Sequence, residues 1–262
     1  MTHKISSVQQ NIYIATHDPI IVDDVHENII SPPLLLRFVD SAKDGIVGLA
    51  ATYHPDCSLS CLTFATLTRA LIVRISPTQK PTAQKKNRGQ QQQQQPSVSQ
   101  GRILLRDHIL CDPNIQLYGY RMDRIAVALF LDLSLRINAA VDILSVCSNR
   151  ASRRSLQAIM NALGGDQLIR KVNVQAIFAR GEGDNARALQ AWGACRAATI
   201  EGMASRYAKV SRIATDTMPS AVCNLHRVLD CPLMHRVVPE CSSKDLSSCW
   251  NVRCFEANQS SS

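Results

Sequence analysis

Ile46-Val47-Gly48-Leu49 is the stretch on which the fold of this chain turns: an apolar run with one glycine, directly after the chain-breaking pair Asp44-Gly45. Such a run, bounded by a turn signal, reads as the start of a buried strand. Towards the N-terminus, Ser31-Pro32 has the form of an N-cap followed by proline in a first helical turn. Leu34, Leu35, Phe38 and Val39 fall on one face of the helix that follows. Residues 11–21 alternate apolar and polar side chains. Towards the C-terminus, residues 58–66 and 69–75 read as two further strands, the second rich in branched aliphatics. With the run at Ile46 they make an antiparallel meander.

The same reading continues through the second half. Residues 103–111 read as a helix stopped by Asp112-Pro113, and residues 115–119 as a short strand ended by glycine. The pattern then becomes α/β: an apolar helix over 123–131 and a strand or helix start within 140–146. Leu156, Ile159, Met160 and Leu163 recur at helical spacing before Gly164-Gly165. A last long helix over 185–210 carries Leu189, Trp192, Ile200, Met203 and Tyr207 along one core stripe.

Composition bounds the rest. A chain of 262 residues with 45% hydrophobic content supports one packed domain plus extensions. The opening MTHKISSVQQ lacks a basic segment followed by an apolar core, and no run approaches the roughly 20 apolar residues of a membrane helix. The expectation is a soluble intracellular protein, nuclear or cytoplasmic, with no membrane partner. Ten cysteines scattered through such a chain read as reduced thiols, most of them buried small hydrophobes. The net charge of +8 is concentrated: Lys80, Lys85, Lys86 and Arg88 lie between Ser76 and Gly101 with no acid among them. That segment is rich in Pro, Gln and Ser, with a glutamine run from Gln90 to Gln95, and reads as a flexible insertion over 76–101. It is either a solvated linker or a basic loop whose Lys85, Lys86 and Arg88 graze nucleic acid. Residues 1–75 and 102–210 would form the domain, and residues 211–262 a poorly ordered, cysteine-containing tail.

Taken in order, several of these words resemble the RNase H-like 3′-5′ exonucleases of the DEDD superfamily, and most closely their Werner-type domains. Ile46-Val47-Gly48-Leu49 matches the family's first strand, residues 115–119 its fourth, and Asp142-Ile143-Leu144 the segment after the next helix. The best match is Ser155-Leu156-Gln157-Ala158-Ile159 through Leu163-Gly164, similar to the family's serine-leucine helix ending in leucine-glycine. The resemblance covers about residues 22–210 and implies an α/β fold, a mixed sheet flanked by helices. It also implies two-metal chemistry, which needs several carboxylates converging on two divalent cations. The positions it assigns to the first-strand Asp-x-Glu pair hold Ala50 and Thr52, and the third carboxylate falls on Ile125. On the last helix, the family's tyrosine falls on Gln190 and its final aspartate on Ala194. Asp123 lies two residues before Ile125, a turn of about 200° on a helix, so it reads as a helix-capping residue unless the preceding turn is shorter.

The resemblance therefore implies an exonuclease-like domain that is catalytically inactive, needs no cofactor, and binds single-stranded nucleic acid, a protein partner, or both. The alternative is a divergent exonuclease using Mg or Mn on relocated ligands, Asp123 and Asp142 joined by Asp56 or Glu201. It requires at least three of these carboxylates on one metal pair. A decaying gene product without selected activity is a third reading. Two smaller groupings stand apart. Cys223, His226, Cys231 and His235 have the compactness of a tetrahedral zinc site, though not the order of a zinc knuckle. His54, Cys57 and Cys61 form a looser set that reads as chance, and Gly181-Glu182-Gly183-Asp184 lacks the preceding strand and the lysine of a phosphate loop.

Overall fold

The strand begun at Ile46 runs to Tyr53 and sits inside a mixed, seven-stranded sheet in the computed structural model, which describes residues 3–76, 99–146, 155–164, 168–179 and 183–215. In chain order the strands are β1 (Lys4–Val8), β2 (Ile20–His26), β3 (Ile46–Tyr53), β4 (Leu59–Ala65), β5 (Arg69–Arg74), β6 (Gln116–Gly119) and β7 (Ala140–Asp142). In space the order is β1-β2-β5-β4-β3-β6-β7. The meander β3-β4-β5 is antiparallel, whereas β6 and β7 run parallel to β3, and β2 runs parallel to β5. The fold class expected of an RNase H-like chain, α/β with a mixed sheet between helices, is the one observed.

Alternation along the strands divides the core in two. Val47, Leu49, Leu62, Phe64, Leu71 and Val73 point to one face. There they meet α1 (Pro32–Val39), α2 (Gln100–Leu105) and α3 (Met122–Leu133). Cys61, Ala65, Ala70, Ile72 and Tyr118 point to the other face, covered by α4 (Leu156–Ala162), α5 (Lys171–Ala179), α6 (Asp184–Ala198) and α7 (Met203–Tyr207). The second layer lies unusually close, because α6 presents alanines and β3 presents Gly48. A Cβ on Gly48 would stand 1.9 Å from the carbonyl oxygen of Ala191. The glycine of the opening stretch is thus required by helix-on-sheet contact. Cys61 and Cys195 are buried thiols, and burial pushes both up from the ordinary range, Cys195 to about 12. Both behave as the small hydrophobes that the sequence suggests.

Local chemistry explains most boundaries. Asp44 and Gly45 both take positive φ, 54° and 68°, which turns the chain into β3. Ser155 caps α4 through its Oγ, which accepts from Ala158 N at 3.1 Å, and Gly164 at φ 113° ends it. The structure refines one pattern and corrects two expectations. The alternating stretch 11–21 is strand only from Ile20; before that the chain is irregular, tied by a Tyr13–Ile169 bridge. The helix expected over 103–111 starts at Gln100, capped by Ser99, and continues through a π-type turn to Leu110. Gly101 is buried there, so residues 100 and 101 belong to the body and not to the insertion. The single helix expected over 185–210 is two, α6 and α7, separated at Gly202, whose φ of 77° no helix interior allows.

The described body also extends past residue 210. Ile213 exchanges two backbone hydrogen bonds with Ala140, of 2.9 and 2.8 Å. Buried Thr215 accepts from Ile137 N through its Oγ1 at 2.9 Å. Lys85, Lys86 and Arg88, and likewise Cys223, His226, Cys231 and His235, lie outside the described residues. Among the described residues no helix is long and apolar enough to cross a membrane.

Candidate functional site

Strands β3 and β6 are parallel neighbours whose pairing ends at Leu49 and Gly119. Beyond that point β3 continues beside β4, while the chain leaves β6 through Tyr120-Arg121 into α3. The gap at these carboxyl ends, where open α/β sheets place their ligands, is a cavity of about 200 Å³. Its floor is Leu49, Ala50 and Ala51 of β3, and one wall is Arg121, Arg124 and Ile125. Tyr53, Tyr120, Phe178 and Gln190 contribute to the other sides.

The turn that brings α3 to this place is tightly specified. Arg121 takes a left-handed φ of 58° and leaves the strand within two residues. The carboxylate of Asp142 fastens the arrangement: Oδ2 accepts from Met122 N at 3.2 Å and Oδ1 from Leu144 N at 2.8 Å. It joins the end of β7 to the first turn of α3 in a structural role. Asp123 is exposed on that same first turn. Neither aspartate lines the cavity.

Arg121 and Arg124 are solvent-accessible cations at its mouth. The Arg124 guanidinium lies over the Tyr53 ring, 4.2 Å from its centroid. Burial pushes the Tyr53 phenol up to about 12, against the opposing pull of Arg124 and with the repulsion of Asp132 and Asp123 added. Its hydroxyl is buried and has no hydrogen-bond partner. Tyr120 packs edge-on against Phe178, centroids 4.9 Å apart, and burial holds its phenol well above the ordinary value. Gln190 Nε2 donates to the Ile177 carbonyl at 2.7 Å, fixing α6 to α5 beside the cavity.

Of the positions singled out in the sequence, Ala50, Ile125 and Gln190 share this cavity. Thr52 is one strand repeat beyond Ala50, and its Oγ1 is 3.0 Å from Ser60 Oγ across the hairpin. Ala194, one helical turn after Gln190, is fully buried in the α6 core and does not reach the cavity wall. The relocated carboxylates are dispersed among other tasks. Asp56 accepts from Ser58 N and Oγ in the β3–β4 turn. Glu201 lies after α6 and lines a different cavity. His54, Cys57 and Cys61 do not gather either. Among the described residues, no group of three or more His, Cys, Asp or Glu side chains could hold a metal ion. A cavity walled by two arginines and by no carboxylate does not fit a pair of divalent cations.

Arg121, Arg124, Tyr53 and Tyr120 were not legible as site residues. The signal was present in Gly119-Tyr120-Arg121-Met122-Asp123-Arg124, where two arginines at i, i+3 follow a strand-ending glycine. A search for acids passes over it.

No protein-family model matches the chain, and no curated protein matches it. Among solved structures it is similar to the EXD2 exonuclease domain soaked in Mn, at 19% identity and a TM-score of 0.32, over 53% of this chain and 66% of that one. The same domain soaked in Mn and GMP matches at 17% identity and a TM-score of 0.32, over 53% and 67%. The matched region thus spans about two-thirds of those chains.

Proposed function

We propose that the chain is a nucleic-acid-binding protein built on a 3′-5′ exonuclease-like domain, which holds a single strand at the β3–β6 cavity without cutting it. One observation carries this reading. Ala50, Ile125 and Gln190, where a two-metal nuclease would need acids and a tyrosine, face a cavity whose charged groups are Arg121 and Arg124. Two cations in place of carboxylates reverse the local field. A strand's phosphate, which a nuclease reaches through bound metal ions, can pair with these guanidiniums directly.

The rest of the cavity suits the same ligand. Tyr53, Tyr120 and Phe178 line the cavity beside the arginines. Stacking surfaces next to a basic groove are the combination by which proteins hold single strands. The net charge of +8 favours encounter with a polyanion. The catalytic alternative needs three of Asp123, Asp142, Asp56 and Glu201 on one metal pair, and Asp142 and Asp56 are already engaged by backbone and hydroxyl donors.

Fluorescence anisotropy with a labelled oligonucleotide tests the proposal. The full chain binds the strand equally well in EDTA and in Mg²⁺, and Arg121→Glu with Arg124→Glu weakens binding by at least about tenfold. Equal affinity of the native and doubly reversed proteins would overturn it.

A further inference from the structure

A second cavity lies at the other end of α6. The loop after β1 is stitched to the segment before α5, with Ile14 N donating to Leu168 O at 3.0 Å and Arg170 N to Ile12 O at 2.7 Å. A space of about 660 Å³ lies where this loop, the segment before α5 and the end of α6 meet. Its walls include Tyr13, His17, Leu163, Leu168, Arg196 and Ile200. It shares no lining residue with the β3–β6 cavity.

Arg196 is the guanidinium of this cavity. Its Nε is buried without a hydrogen-bond partner, and no ion pair among the described residues includes it. Burial pushes the Tyr13 phenol up to about 12, against the charge of Arg196 and a side-chain hydrogen bond from it; the guanidinium carbon lies 5.8 Å from the ring centroid. The Tyr13 hydroxyl donates to the Leu163 carbonyl at 2.8 Å and stays neutral, so it does not offset the charge of Arg196. A half-buried guanidinium without an anion is costly in an apolar setting, and an anionic group entering the cavity removes that cost. The remaining walls are aliphatic or ring edges: Leu163, Leu168 and Ile200, with Tyr13 and His17 in edge-to-face contact, centroids 5.6 Å apart. Glu201 at the same cavity disfavours a ligand carrying several negative charges.

We infer that this cavity is a binding site for a small, flat, apolar monoanion of the aryl carboxylate class, its carboxylate on Arg196 and its rings between Tyr13 and Ile200. The volume lies within the roughly 300–1,000 Å³ typical of small-ligand sites. The inference is independent of the proposed function.

The test is calorimetric titration of the full chain with naphthylacetate and with its neutral counterpart naphthylethanol. Naphthylacetate binds saturably with one-to-one stoichiometry, and Arg196→Gln weakens it by about tenfold or more while leaving naphthylethanol within about twofold. Arg196→Lys, which keeps the charge, retains part of the preference for the acid. Leu168→Glu, on a rim residue 56% exposed and so tolerant of change, weakens both ligands without altering the thermal midpoint. Absence of saturable naphthylacetate binding to the native chain would overturn the assignment. So would an unchanged acid preference in folded Arg196→Gln, or tighter binding of adenosine monophosphate than of naphthylacetate.

Discussion

Arg124 covers the ring of Tyr53, its guanidinium carbon 4.2 Å from the centroid, and beneath it the Tyr53 hydroxyl is buried with no hydrogen-bond partner. An unsatisfied buried hydroxyl destabilises the fold in isolation. Tyr53→Phe should therefore raise stability by about 1 kcal/mol in urea unfolding, since the ring and its contact with Arg124 remain. If that hydroxyl serves the strand-binding cavity, the same variant loses oligonucleotide affinity, so that stability and binding move in opposite directions.

Salt dependence separates the arginines of the cavity from the charge of the rest of the chain. Each phosphate contact contributes about 0.7 to the slope of log affinity against log salt for a single strand. Arg121→Gln and Arg124→Gln should each reduce that slope by about this amount, measured by anisotropy across a salt series. Variants that lower affinity at every salt with an unchanged slope would place the arginines away from phosphate.

Two glycines packed around α6 have opposite expected outcomes. A Cβ at Gly48 would stand 1.9 Å from the Ala191 carbonyl oxygen, so Gly48→Ala must push α6 from the sheet and cost about 3 kcal/mol or more. At Gly193, within α6, the nearest atoms to an added Cβ are 3.5 Å away on the Leu163 and Phe178 side chains. Gly193→Ala should be neutral or stabilising by up to about 1 kcal/mol, because alanine favours helix. Thermal unfolding of the two variants checks the contrast.

A buried ion pair ties the entry of α1 to α2. Arg102 donates from Nε to Glu27 Oε2 at 2.5 Å and from Nη2 to Oε1 at 3.0 Å, and Ser76 N adds a bond of 2.9 Å to Oε1. Burial raises the Glu27 carboxyl, but the hydrogen bonds from Arg102 and Ser76 outweigh it and hold the group below its ordinary value. A lowered folded value stabilises above the unfolded value, and that contribution is lost as pH falls through the folded one. Glu27→Gln should cost about 3–5 kcal/mol at neutral pH and flatten the acid limb of stability against pH, measured by urea unfolding.

The sheet was legible because its signals are local. Asp44-Gly45, Ser31-Pro32 and Gly164 announce turns and caps through backbone preference, and β3, β4 and β5 are apolar enough to read as strands. The edge was not. In β1, Lys4 to Ser7 are exposed, so no apolar period marks a strand made by pairing with β2. Gly202 hid the break between α6 and α7, because one glycine within an apolar stripe does not reveal its φ. At the site, sequence order located Ala50, Ile125 and Gln190, which do share a cavity. What they face there was beyond that reasoning, since Arg121 and Arg124 arrive through a left-handed turn and Tyr53 through a strand face that only the tertiary fold defines.

The most direct test of the central claim is digestion of an end-labelled single strand by the 262-residue chain in Mn²⁺ and in Mg²⁺. The cavity described here predicts that the strand is bound and remains full length under conditions where anisotropy shows saturation. A ladder of shortened products, abolished by Asp123→Ala and by EDTA, would contradict it and place a metal-dependent exonuclease on this fold.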